Sequence, residues 1–227
     1  MATATGKQGH QPRAPSGRRR GRPPTASPAA VIHAVTTQYL SGERVDLTVA
    51  ARQLGLSRAT IYRWFGSREH LLGEVIANQL EAVIARKRQA VRTRGAAGLL
   101  EVFDQINRSL SRSSPLRTLI EQEPVTAMRM LTSGSGVVHP RAVSTVRALI
   151  ASEVANGQYD PPADPGTLAY AIVRLAEAFI YNDRGIRGDH VRLREVQAAL
   201  LGVPVAGGGW SSSRPSSHPS VTVRLPR

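Results

Sequence analysis

The chain has 227 residues, 41% of them apolar, with 30 Lys and Arg against 16 Asp and Glu and a net charge of +14. That apolar share permits a packed core, but no apolar run approaches the roughly 18 residues of a membrane span, and the basic, polar start lacks the apolar segment of a secretory signal. There is no cysteine, which excludes disulfides and thiolate chemistry and suits a reducing cytoplasm.

The basic excess is uneven. Residues 1–27 carry six basic side chains and no acid, residues 28–94 carry ten against five, and residues 95–202 carry eleven of each. This is the distribution expected if the N-terminal part meets a polyanion and the middle does not. Residues 1–27 are rich in Gly, Pro, Thr and Arg and read as a disordered basic arm. Within it, RRRGRPP (18–24) has the Arg-Gly-Arg-Pro core of an AT-hook, which would lay Arg20 and Arg22 into an A·T-rich minor groove. The same run also suits a solvated basic tail.

Helix-start signals then recur along the chain. Ser27-Pro28, Ser114-Pro115 and Asp164-Pro165 each place a capping side chain before a proline, and Pro124 and Pro140 are weaker versions. The apolar spacing that follows is helical, as in Leu168, Ile172, Leu175 and Phe179, and no stretch alternates as a strand would. The chain is predicted to be all-α with about ten helices.

Residues 46–65, DLTVAARQLGLSRATIYRWF, carry the most specific pattern. Asp46 caps a helix near 47–54 and small Ala51 allows a close helix crossing. Gly55 supplies a turn with positive φ, and Ser57 caps a second helix. Ile61 and Phe65 turn that helix's apolar side back to Leu47, Ala50 and Leu54. This is the helix-turn-helix spacing. Arg58, Ala59, Thr60 and Arg63 are left to face bases and phosphates, with arginine able to bond guanine in a bidentate way. The Tyr62 hydroxyl and Trp64 indole N–H can reach phosphate oxygens. Thr48 and Ser57 complete the set. Arg68 sits in the first turn of a third helix, where the helix dipole disfavours a cation; a phosphate bound at that start would explain it.

GLSRATIYRWFGSREHLL resembles the N-terminal DNA-binding domain of the TetR family of one-component bacterial regulators. The family's block of aliphatic, Tyr, any residue, aromatic and Phe is here Ile61-Tyr62-Arg63-Trp64-Phe65, and its helix 4 opening is Arg68-Glu69-His70-Leu71. Trp64 stands where Tyr or His is usual, and Arg68 where Lys is usual. The resemblance covers about residues 28–76. Residues 115 to 200 are also similar to a QsdR-like C-terminal group, whose regulators are linked to butyrolactone-type signals.

The resemblance implies a helix-turn-helix DNA-binding domain over 28–76, a helical effector-binding and dimerisation domain over 77–202, and a tail from 203 to 227 that reads as disordered. It implies a cytoplasmic homodimeric repressor on a palindromic double-stranded DNA operator, associated with the nucleoid when bound and released by a small-molecule effector. The helices near 165–183 and 189–201 would pair as a four-helix bundle, placing two recognition helices about 34 Å apart.

The effector site is weakly marked. Met128 and Met130 could line an adaptable cavity, though methionines at this spacing also suit plain core. Arg174, Glu177 and Tyr181 flank an apolar helix face, where Arg174 and Glu177 could equally form a surface pair. His139 and His190 stand alone at no metal-ligand spacing, so neither a metal nor a cofactor is expected. No P-loop, GxSxG or HExxH motif is present, so no enzyme is expected. The alternative function is a ligand-independent architectural DNA binder using the AT-hook-like arm.

Overall fold

A computed structural model describes residues 26–180 and 189–204. These residues form ten α-helices and no strand. The N-terminal three are α1 (Pro28–Leu40), α2 (Leu47–Leu54) and α3 (Arg58–Phe65). The long α4 (Arg68–Ala90) leads into α5 (Gly95–Ser111), α6 (Ser114–Gln122), α7 (Pro124–Thr132) and α8 (Val138–Ala155). The last two are α9 (Pro165–Ile180) and α10 (Asp189–Leu201). The expected all-α architecture, with a helix-turn-helix module ahead of a helical body, is the one observed. Arg20, Arg22 and Tyr181 lie outside the described residues.

The helix starts are set by side chains that accept otherwise unpaired backbone N–H groups. Ser27 Oγ accepts from Ala30 N at 3.2 Å, Ser57 Oγ from Thr60 N at 3.1 Å, and Ser67 Oγ from His70 N at 3.0 Å. Asp46 Oδ1 accepts from Thr48 N at 2.6 Å, and Asp164 Oδ2 from Thr167 N at 3.0 Å. One cap differs from expectation: Ser113, not Ser114, caps α6, which moves Pro115 to the second helical position, where its missing N–H still costs nothing. Helix α4 stops at Ala90, because Val91 is extended.

Two apolar cores follow. The first joins Val31, Val35, Leu47, Ala50, Ile61 and Leu71 to residues of α6 and α7, including Leu116, Leu119 and Met130. The helix-turn-helix module thus shares its core with α6 and α7. The second core packs the later half of α4 and α5 against α8, α9 and α10, through Ile84, Phe103, Ile150, Leu168 and Leu201 among others. Helix α4 belongs to both, so any displacement of its C-terminal half is felt by its N-terminal half.

Charged side chains tie α4 to the body. Arg141 of α8 donates to Glu74 Oε2 and to Asn78 Oδ1, at 2.8 and 2.7 Å, and also engages Glu81. Lower on the same helix, Arg88 pairs with Glu153 of α8, whose second oxygen accepts from Gly95 N at 2.7 Å.

Candidate nucleic-acid interface and effector cavity

Helices α2 and α3 meet across a three-residue turn whose first residue must be left-handed. Gly55 has φ 64 and ψ 29, and Leu56 N reaches back to Ala51 O at 2.9 Å, which closes the helix end with no Cβ in the way. Ile61 is fully buried, while Tyr62, Trp64 and Phe65 pack half-buried on the same core. Their burial fixes the rotation of α3 and turns Arg58, Ala59 and Arg63 outward, all three exposed. Thr48 and Ser57 are exposed beside them.

Arg58 is held in place. Its guanidinium lies 5.7 Å from the centre of the Tyr62 ring and donates to the Tyr62 hydroxyl oxygen at 3.3 Å. This hydrogen bond raises the Arg58 pKa further, and it leaves the Tyr62 O–H free to donate to a phosphate. Ser57 and Thr60 share a contact of 3.0 Å between their hydroxyls. Both side chains thus serve the start of α3 as well as facing out. Arg63 is exposed without such a tether.

Arg68 corrects the sequence reading. Its guanidinium donates to both oxygens of Glu123, at 2.8 and 2.9 Å, and its Nε donates to Val45 O at 3.2 Å. The side chain is 18% exposed. The cation in the first turn of α4 is therefore explained by a carboxylate at the α6–α7 junction, not by a phosphate. The same pair holds the Glu123 carboxyl below its ordinary pKa, through hydrogen bonding from Arg68 in the first place and Arg44 beyond it. Arg68→Ala is expected to lower stability by about 1.5–3 kcal/mol, the range for hydrogen bonds to charged groups, in a denaturant titration. The salt slope of DNA binding is expected to stay unchanged, whereas a slope reduced by about one would restore the phosphate contact.

The body encloses a cavity of about 250 Å³. Its walls come from α4, α5, α8 and α9, with Phe103, Ile106, Val146 and Ile172 among the apolar lining, and Gln197 of α10 closes one side. At another side stand Tyr39 and Leu40, the last residues of α1. Burial pushes the Tyr39 phenol up to about 12, a hydrogen bond with Ser113 working against it, so Tyr39 is neutral at physiological pH.

The predicted effector residues are mostly elsewhere. Met128 is 51% exposed on α7, and Met130 is buried in the first core; neither lines the cavity. Two residues apart on one helix, they are turned about 200° from each other and cannot both face one site. Arg174 is used structurally, donating to Thr132 O at 2.7 Å and to Glu177 Oε2 at 2.9 Å, with its guanidinium over the Tyr170 ring. Glu177 alone of these lines the cavity, and its other oxygen lies 2.7 Å from His139 Nδ1. His139, isolated in sequence, is thus a buried partner of Glu177. Sequence reasoning missed Tyr39, Phe103, Asn107 and Gln197. The stripe Leu99, Val102, Phe103 and Ile106 signals a buried face, but nothing local says that it borders a cavity. Among the described residues no cluster of three His, Cys, Asp or Glu is placed to hold a metal, and no helix is long and apolar enough to cross a membrane.

A helix-turn-helix with an exposed cationic face, carried on a helical body that encloses an apolar cavity, is the build of a one-component DNA-binding regulator. Residues 94–202 match the model of the tetracyclin repressor-like C-terminal domain. The chain is similar to the solved transcriptional repressor QsdR, of the TetR family, from R. erythropolis. Identity is 28% with a TM-score of 0.71, covering 78% of this chain and 95% of that one. It also shares the fold of the TetR-family repressor AlkX from Dietzia sp. strain DQ12-45-1b, at 23% identity and a TM-score of 0.57, covering 78% and 96%. No curated protein sequence matches. Residues 94–202 thus match a tetracyclin repressor-like C-terminal domain, and the chain shares its fold with TetR-family repressors.

Proposed function

We propose that this chain is a homodimeric repressor. It binds a palindromic operator through α2 and α3 and is released when a small molecule occupies the cavity. The observation that carries this reading is the place of Tyr39. It belongs to the first core, together with the DNA-facing module, and it also lines the cavity. Occupation of the cavity presses on the end of α1 and on the later half of α4, the two helices that seat α3.

Two-fold symmetry supplies the readout. Exposed apolar side chains on α9 and α10, Tyr170, Val191 and Val196, offer a face for a second copy. In such a dimer two α3 helices would enter successive major grooves about 34 Å apart. Thr48, Ser57, Arg58, Ala59, Thr60, Tyr62, Arg63 and Trp64 are the proposed DNA contacts. To move operator occupancy from 99:1 to 1:99 the effector must prefer the non-binding conformer by about 5.5 kcal/mol. A small lactone-type molecule, in keeping with the similarity to QsdR, is the effector class we favour. Operator binding would place the protein in the cytoplasm, at the nucleoid.

The test is selection of bound fragments from genomic DNA by the purified full chain. Enrichment of one palindrome with half-sites about one helical turn apart is the expected result. Enrichment of A·T-rich DNA without a palindrome would instead favour architectural binding through the arm that holds Arg20 and Arg22.

A further inference from the structure

Gln197 is fully buried, at 0% exposure, and forms part of the cavity wall. Its Oε1 accepts from Asn107 Nδ2 at 3.0 Å. Its Nε2 makes no hydrogen bond to any described residue. A buried amide N–H left unpaired costs about 1–3 kcal/mol, and such a group beside a cavity calls for a partner from outside the chain. Asn107 already orients the amide by holding its oxygen, so the nitrogen is the end left to bind.

The rest of the wall defines the other properties of that partner. It is mainly aliphatic and aromatic, which suits a hydrocarbon body. Of its charged residues, Glu177 has both oxygens engaged, by His139 and by Arg174. Arg86 is exposed, at the solvent side of α4. Among the described residues no free cation therefore faces the interior, and burying an anion unpaired by them would be strongly unfavourable. A volume of about 250 Å³ lies just under the range of about 300–1,000 Å³ typical of drug-sized ligands.

We propose that Gln197 is the polar anchor of the effector site, and that the site takes a small, uncharged, largely apolar molecule bearing a hydrogen-bond acceptor, such as a ketone, ester or amide carbonyl. This rests on the reading of the cavity as the effector site and names its ligand class. The carbonyl accepts from Gln197 Nε2 while the chain lies between α4, α5 and α9.

The experiment uses 2-octanone and octanoate as probes on the full chain without DNA. Their dissociation constants are measured by ligand-observed NMR for the wild type, Gln197→Leu and Gln197→Met. Gln197→Met keeps the length of the side chain but has no N–H or O–H donor; Gln197→Leu likewise removes the unpaired donor altogether. The wild type is expected to bind 2-octanone more tightly than octanoate, and each variant to bind the ketone about tenfold more weakly, the worth of one good hydrogen bond. The thermal midpoint of Gln197→Leu is expected to be no more than slightly changed. Should either variant fail to fold, the ketone carbonyl ¹³C resonance in the wild-type complex still decides, since a hydrogen bond moves it downfield from its position in an apolar solvent. Equal ketone affinity in all three proteins, an unshifted carbonyl, no ketone binding, or tighter octanoate binding lost in Arg86→Ala would each overturn the proposal. Because DNA is absent, these outcomes are separate from the regulatory reading. Ketone binding without operator release would leave Gln197 as the anchor and remove the repressor mechanism; operator binding without ketone binding would do the opposite.

Discussion

Glu153→Ala is expected to lower the unfolding free energy by about 3–5 kcal/mol, the cost of removing one partner from a buried ion pair. The carboxylate is 2% exposed on α8 and serves two elements at once. One oxygen pairs with Arg88 near the end of α4, with Arg94 at 3.8 Å. The other accepts from Gly95 N, the first helical N–H of α5, which has no side-chain cap of its own. Removing Glu153 therefore strands the Arg88 guanidinium and uncaps α5, a wall of the cavity, in the same step. Denaturant unfolding at fixed protein concentration measures the loss, since dimerisation would shift the midpoint otherwise. Glu153→Gln keeps an acceptor and is expected to lose less. A loss below about 1 kcal/mol for the alanine variant would mean that the pair only offsets its own desolvation.

The same carboxylate predicts a pH dependence. Burial raises its pKa, but hydrogen bonds from Arg88 and Gly95 outweigh this and hold it below the ordinary value of 4.5. A depressed folded pKa means that the native state binds fewer protons than the unfolded chain. The stabilisation from this group is thus complete above about 4.5 and is lost as pH falls through the folded pKa. Glu153→Gln is expected to flatten the acid side of the stability profile, leaving the part due to Glu123.

The double substitution Arg58→Ala, Arg63→Ala is expected to weaken specific operator binding by about 2–6 kcal/mol, if each side chain contributes the 1–3 kcal/mol of a base contact. Non-specific DNA binding should fall much less, so the ratio of the two affinities is the quantity to measure, at one stated salt concentration. The single variants should differ. Arg58 is already braced by Tyr62 and loses little side-chain freedom on binding, so Tyr62→Phe, which removes the brace's hydroxyl, should reproduce part of the Arg58→Ala loss. Arg63 has no such brace. If the double variant kept both its affinity and its specificity, α3 would not be the reading helix.

How much of this was legible in the sequence varies by the range of the interaction. The helix-turn-helix depends on residues within one short stretch: caps at Asp46 and Ser57, a left-handed Gly55, and Ile61 and Phe65 four apart. Each expresses a local preference, so the pattern shows in the string. The caps at Ser27 and Asp164 are equally local, and the slip from Ser114 to Ser113 is the one-residue error that adjacent serines invite. Arg68 failed for the complementary reason. Its oddness in a first helical turn was visible, but its partner Glu123 lies 55 residues away.

The amino-acid order alone thus determined the all-α class, the helix-turn-helix pattern and the rotation of α3, because helix periodicity and capping act within a few residues. Tertiary packing decided where the cavity lies and which polar groups face it. Met128 went to solvent and Met130 to the core, while Asn107 and Gln197, 90 residues apart, were brought to 3.0 Å. Burial in a close-packed body is a property of all the neighbours at once, and one unpaired amide nitrogen becomes visible only when every other partner has been placed.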